Sequence, residues 1–223
     1  MTLQHFARGI IKALCLCLVA FGALVPATHA STIFLLTEDG CTGNCGPQAG
    51  GFGSVTLNQV NSSTVSVHVD LFNGNLFVLT GNHDALTFNI GGATVTLSGF
   101  SGNFSQDLPP VANNSPYGPF SYGVTCSGCG NGGSSPVPPP LDFLASRATG
   151  LLETDFVGNS NSIFFASDII SGTTGKTGAV GALAGVTAGT QGAPPSVPEP
   201  SSLLLLGTGL TGFAGMMRRK LNR

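Results

Sequence analysis

Between residues 64 and 71 the chain alternates without a break: Val65, Val67, Val69 and Leu71 are apolar, and Ser66, His68 and Asp70 lie between them. A period of two sends successive side chains to opposite faces, so this stretch predicts a strand buried on one side only. The run before it, Gly53 to Val60, joins it through Asn61-Ser62 and reads as the first arm of a hairpin. Leu86, Phe88 and Ile90 alternate with Thr87 and Asn89 in the same way. Gly91-Gly92 then reads as a primed turn into Val95 and Leu97, since such a turn needs positive φ. Further strands are expected at 31–37, 76–80, 120–126 and 161–170, and on a weaker pattern at 141–146. About eight short strands separated by turn residues make a mostly β fold, an antiparallel β-sandwich over residues 31–170.

Composition supports this reading. Only 8% of residues are charged, while Gly (33) and Pro (14) are abundant, which excludes a charge-laced coiled coil and argues against a helix-rich enzyme. Phe, with 15 copies and no Trp beside it, is the large core residue. No repeat of fixed period is visible, which argues against a solenoid or propeller. Loops are expected at 99–119 and 127–140, with Pro136 to Pro140 as a stiff extended spacer. Residues 171–197 turn to Gly, Ala, Thr and Pro and read as a stalk, with an added strand or short helix near Ala179 to Val186 as the alternative.

The two ends read as addresses. Arg8 and Lys12 precede the apolar run Ala13 to Val25, and small residues at Thr28 and Ala30 suit a cut before Ser31. Residues 1–30 are therefore expected to be a secretory signal peptide, whose removal takes Cys15 and Cys17 with it. At the other end, Pro198-Glu199-Pro200 precedes the uncharged stretch Ser201 to Met217, and Arg218-Arg219-Lys220 and Arg223 follow. Its 17 residues would cover about 25 Å as a helix, the short limit for a membrane span. Basic residues after such a span stay on the cytoplasmic side, which puts the body outside.

The order of Pro-Glu-Pro, apolar segment and terminal basic cluster resembles the PEP-CTERM sorting signal of Gram-negative bacteria. The resemblance covers about residues 197–223, with Pro198, Glu199 and Pro200 as the motif and Arg218, Arg219 and Lys220 as the membrane stop. It implies export, insertion in the inner membrane with the body in the periplasm, and processing by an exosortase, a membrane-embedded transpeptidase or protease. Release to the cell surface or extracellular matrix would follow. A Pro-Glu-Pro unit cannot continue a helix, so it stays extended where a protease can bind it. Tails of this type occur on bodies of many kinds, some ice-binding proteins among them.

Between Ser31 and Val197 stand nine acids and two bases, Arg147 and Lys176, a net charge of −7. A body so poor in cations is unsuited to a phosphate backbone, so no nucleic-acid partner is expected. Four cysteines remain after signal removal, Cys41 with Cys45 and Cys126 with Cys129 at close spacing. In an exported chain these read first as two disulfides, paired as neighbours because short loops close at the least entropy. A tetrahedral zinc site of four thiolates is the alternative, and oxidation would compete for it. The Cys-Ser-Gly-Cys run lacks the following helix that a thioredoxin-like thiol needs.

Asn82-His83-Asp84 reads as a turn, and His68 as a solvated residue on a polar face. No nucleophile elbow, His-Glu-x-x-His, phosphate loop or dinucleotide fingerprint is present, so no catalytic residue, cofactor or metal is assigned. Glu38-Asp39 and Glu153–Asp155 match no defined calcium loop. The expectation is a non-enzymatic surface or matrix protein whose body binds or builds in exopolysaccharide. The alternatives are a carbohydrate-active hydrolase with two acids on a concave face, and an ice- or polysaccharide-binding protein using flat threonine-bearing strands such as Thr94-Val95-Thr96.

Overall fold

The computed structural model describes residues 31–107, 113–130, 132–183 and 187–188. The expected signal peptide, residues 1–30, lies outside them. Seven strands fill the first half: β1 (Thr32–Leu36), β2 (Glu38–Cys41), β3 (Gly53–Asn61), β4 (Thr64–Leu71), β5 (Leu76–Phe77), β6 (Leu86–Ile90) and β7 (Thr96–Ser98). Seven more follow: β8 (Phe104–Asp107), β9 (Tyr122–Cys126), β10 (Leu141–Ser146), β11 (Phe156–Val157), β12 (Ile163–Ile170), β13 (Thr177–Leu183) and β14 (Thr187–Ala188). One 3-10 turn, Glu153–Asp155, interrupts them. No helix among the described residues is long and apolar enough to cross a membrane.

All pairing is antiparallel, in two sheets. One runs β14-β1-β3-β4-β10-β7; the other runs β2-β13-β12-β6-β9-β8, with β5 and β11 added on β12 and β6. A single apolar cluster draws on both sheets, taking Val55, Val67 and Phe143 from the first and Phe88, Val124 and Phe165 from the second. The rings of Phe34 and Phe165 stand 5.0 Å apart and those of Phe88 and Phe143 5.6 Å apart, joining the sheets through aromatic contact.

The β3–β4 hairpin follows its alternation, with Val65, Val67, Val69 and Leu71 buried and the residues between them part-exposed. Gly91-Gly92 is a correction. These glycines do not close a hairpin, because β6 lies in the eight-stranded sheet and β7 pairs β10 in the six-stranded one. The Gly91 N–H donates to the Asp155 carbonyl at 2.8 Å, and Arg147 Nη1 donates to the Gly91 carbonyl at 2.6 Å. Those bonds carry the chain across from one sheet to the other.

The stalk expected at 171–197 is the second correction over residues 171–183, where the alternative of an added strand holds, while residues 189–197 lie outside the described residues. Residues 171–176 form a turn, and Thr177–Leu183 is a strand between β2 and β12, buried from Gly178 to Ala182. Its small residues serve close approach. A Cβ on Gly178 would sit 2.6 Å from Cys41 Cα, and one on Gly181 would sit 3.1 Å from the Tyr117 ring. The loop 113–120 lies against this sheet's outer face, where Tyr117 and Phe120 form a second apolar cluster with Ile163, Ala166 and Ala179. Two further differences are smaller: the strand expected at 76–80 is only Leu76–Phe77, and the loop expected at 99–119 contains β8.

The topology gives the body two ends. β1 starts at Thr32 opposite Leu57 and finishes at Leu36 opposite Gly53. β14 runs antiparallel to β1, with Phe34 facing Thr187 and Ile33 facing Ala188, so the chain leaves towards the start of β1. The β3–β4 turn, Arg147 and the 3-10 turn share this exit end, since the Leu151 N–H reaches the Ser62 carbonyl at 3.1 Å and Glu153 Oε1 accepts from the Gln59 N–H at 2.7 Å. Loops 42–52, 72–75 and 171–176 gather at the far end.

Candidate functional site

At the far end, Cys41 and Cys45 form a disulfide with Cα atoms 5.5 Å apart; Cys126 and Cys129, in and after β9, form the other at 5.3 Å. The Asp39 carboxylate accepts from the Cys41 N–H at 3.0 Å and the Cys45 N–H at 2.9 Å, clamping the first loop. Asp39, Cys41 and Cys45 also place three ligand-type atoms within 4.8 Å of one another. With the two sulfurs bonded to each other there is no thiolate for a soft cation. A shared four-thiolate centre is not built either, because three strands separate β2 from β9.

The far-end loops are tied by amides. Gln48 Nε2 donates to Asn75 Oδ1 at 3.1 Å and to Ser171 Oγ at 3.0 Å, and Ser171 Oγ donates to the Cys45 carbonyl at 2.9 Å. Beside them opens a shallow cleft of about 400 Å³, lined in part by Thr37, Asp39, Asn44, Gln48 and Phe52.

A buried polar group sits under β12. Asp168, fully buried, accepts from Thr80 Oγ1 at 2.8 Å and Thr80 N–H at 2.5 Å, with His83 Nδ1 at 3.3 Å from Oδ1. This fixes the loop before β6, and nothing in the local sequence announces it, since the partners are 85 or more positions apart. His83 thus turns to Asp168 and not to its neighbour. Asp84 is 5% exposed, and none of the hydrogen bonds among the described residues reaches its carboxyl. Burial first, then Asp107 and Asp168, with His83 opposing, raise its pKa to about 7.

His68 is likewise not simply solvated, for its Nδ1 lies 2.6 Å from Asp142 Oδ1 across the β4–β10 pair, both side chains half-exposed. Glu153 accepts from Thr32 Oγ1 at 2.5 Å, and Arg147 Nη2 donates to Asp155 at 2.5 Å, so these acids hold loops. Among the described residues the buried Tyr117 hydroxyl has no hydrogen-bond partner, and burial, with Glu38 and Asp39 adding to it, pushes the phenol pKa well up. Sequence reasoning missed Asp168, Thr80 and Tyr117.

Pro198, Glu199 and Pro200, the apolar segment 201–217 and Arg218, Arg219 and Lys220 lie outside the described residues. Comparison with known families reaches them: residues 196–220 match the PEP-CTERM protein-sorting motif. The chain therefore carries a PEP-CTERM segment, which marks an exported protein anchored in the membrane and then processed by the membrane enzyme exosortase. No curated protein and no solved structure matches the chain.

Proposed function

We propose that this is an exported surface or matrix protein whose β body, two sheets packed as a sandwich, works by binding or as a structural unit and not by catalysis. The body would stand in the periplasm on an inner-membrane span at 201–217, be freed near Pro198-Glu199-Pro200, and then join the exopolysaccharide. The match at residues 196–220 carries the export and sorting part of this reading. The body's chemistry is compatible with a hydrated polymer: the outer face of the six-stranded sheet presents Ser54, Thr56, Asn58, Ser66, His68 and Asp142, all part-exposed. That mixture does not favour ice binding by a threonine array, and β7, which carries Thr96, is three residues long. Asp84, whose carboxyl pKa is raised to about 7, is 5% exposed and too enclosed to serve as a hydrolase's acid on a polymer without displacing its surroundings. Intact-mass and C-terminal peptide analysis of the released protein tests the reading. A new C-terminus at or near Pro198 to Pro200 is expected, and a released form retaining residues 201–223 would overturn it.

A further inference from the structure

Among the described residues three large apolar side chains are exposed: Val60 at 54%, Leu152 at 53% and Val157 at 40%. All three belong to one end of the body. Val60 is the next-to-last residue of β3, beside the β3–β4 turn. Leu152 follows Leu151, whose N–H bonds the Ser62 carbonyl. Val157 pairs with Asn89 next to Ile90, and the adjoining Gly91 N–H bonds the Asp155 carbonyl. This is the exit end, from which β14 carries the chain away beside the start of β1.

Nine residues, 189–197, separate Ala188 from Pro198. Fully extended they reach no more than about 35 Å, so a chain anchored through 201–217 keeps this end close to the bilayer at high effective concentration. The acids here are engaged, Glu153 by Thr32 and Gln59 and Asp155 by Arg147. Arg147 offsets the charge of Asp155, while Glu153, held by neutral donors, keeps its own, so repulsion from an anionic lipid surface is reduced at this end but not removed.

We propose that the exit end is a lipid-docking surface: before processing, Val60, Leu152 and Val157 rest in the outer interface of the membrane that holds the tail. The far-end loops and their cleft then point outward. This rests on the anchoring reading above and adds a contact that anchoring alone does not require. Cleavage near residue 198 would remove the effective concentration and release the body, because three side chains are too little apolar area to hold it alone.

The chain has no Trp, so single substitutions report depth. The unprocessed chain would be reconstituted in phosphatidylethanolamine–phosphatidylglycerol vesicles with lipids brominated at the upper acyl carbons. Val60→Trp, Leu152→Trp and Val157→Trp would each be compared with Ala49→Trp at the far end. Emission at the three exit-end positions is expected to be quenched several-fold more strongly than at position 49. Adding Val60→Asp and Leu152→Asp to the Val157→Trp chain should abolish that excess while the chain still floats with the vesicles. Three independent surface positions, each checked for its β circular-dichroism spectrum, leave a readout if one variant misfolds. Flotation with equal, weak quenching at all four positions overturns docking and leaves anchoring intact; failure to float overturns both.

Discussion

The β3–β4 hairpin and the β12–β13 pair are both long antiparallel ladders, yet they use opposite means to fit. In the hairpin one face is buried and the other meets water, so Val and Leu alternate with Ser, His and Asp. In β12 and β13 both faces are covered, by the main core inside and by the 113–120 loop outside. Alternation gives way there to an apolar and small-residue run, Gly-Ala-Val-Gly-Ala, in which glycine is a packing residue. A Gly/Ala-rich segment is therefore not evidence of a linker when neighbouring strands and a covering loop stand ready to fill it.

Substitutions sharpen this contrast. The largest loss is expected for Phe165→Ala in β12, whose ring lies against Phe34 and Phe88 with centroids 5.0 and 6.0 Å away. Truncating it should cost about 3–5 kcal/mol in denaturant unfolding. Next is Gly178→Val, where the added Cβ would meet Cys41 Cα at 2.6 Å and φ is +148°. A loss of about 1–3 kcal/mol or more is expected from the same measurement. A neutral result at Gly178 would return residues 171–183 to a stalk.

Asp84→Asn should act in the other direction. Its carboxyl is raised from the ordinary 3.8 to about 7, so the native state holds a proton that the unfolded chain gives up. Stability should then fall as pH rises from 3.8 to about 7 and stay lowered above it. Asn removes that fall, with a gain of about 1–2 kcal/mol at pH 8 that vanishes near pH 4 in unfolding titrations. The smallest effect belongs to Ser66→Thr on the hairpin's wet face, within about 0.5 kcal/mol of wild type by thermal unfolding.

Legibility followed the same division. A strand with one wet face, β4, announced itself by period two, β10 showed only a weaker pattern, and the neighbouring cysteine pairs followed from loop length. The sorting segment was legible because Pro-Glu-Pro, an apolar stretch and a basic cluster form a local, ordered pattern. β13 was legible only as the alternative to a stalk, because its reason for being Gly-rich is the Tyr117 ring and the Cys41 backbone, both far away in sequence. Gly91-Gly92 permits a turn in more than one direction, and the choice rests on Arg147 and Asp155. The Asp168–Thr80–His83 group has no local signature at all, since each partner is ordinary until the fold joins them.

Export, anchoring and release all turn on residues 198–200, and their deletion tests this most directly. The intact chain and one lacking Pro198, Glu199 and Pro200 would be expressed in an exosortase-bearing host and followed by size and fraction on immunoblots. The intact chain should appear as a shorter form outside the inner membrane, while the deletion stays there at full size. Equal processing of both, or equal retention of both in the inner membrane, would contradict it.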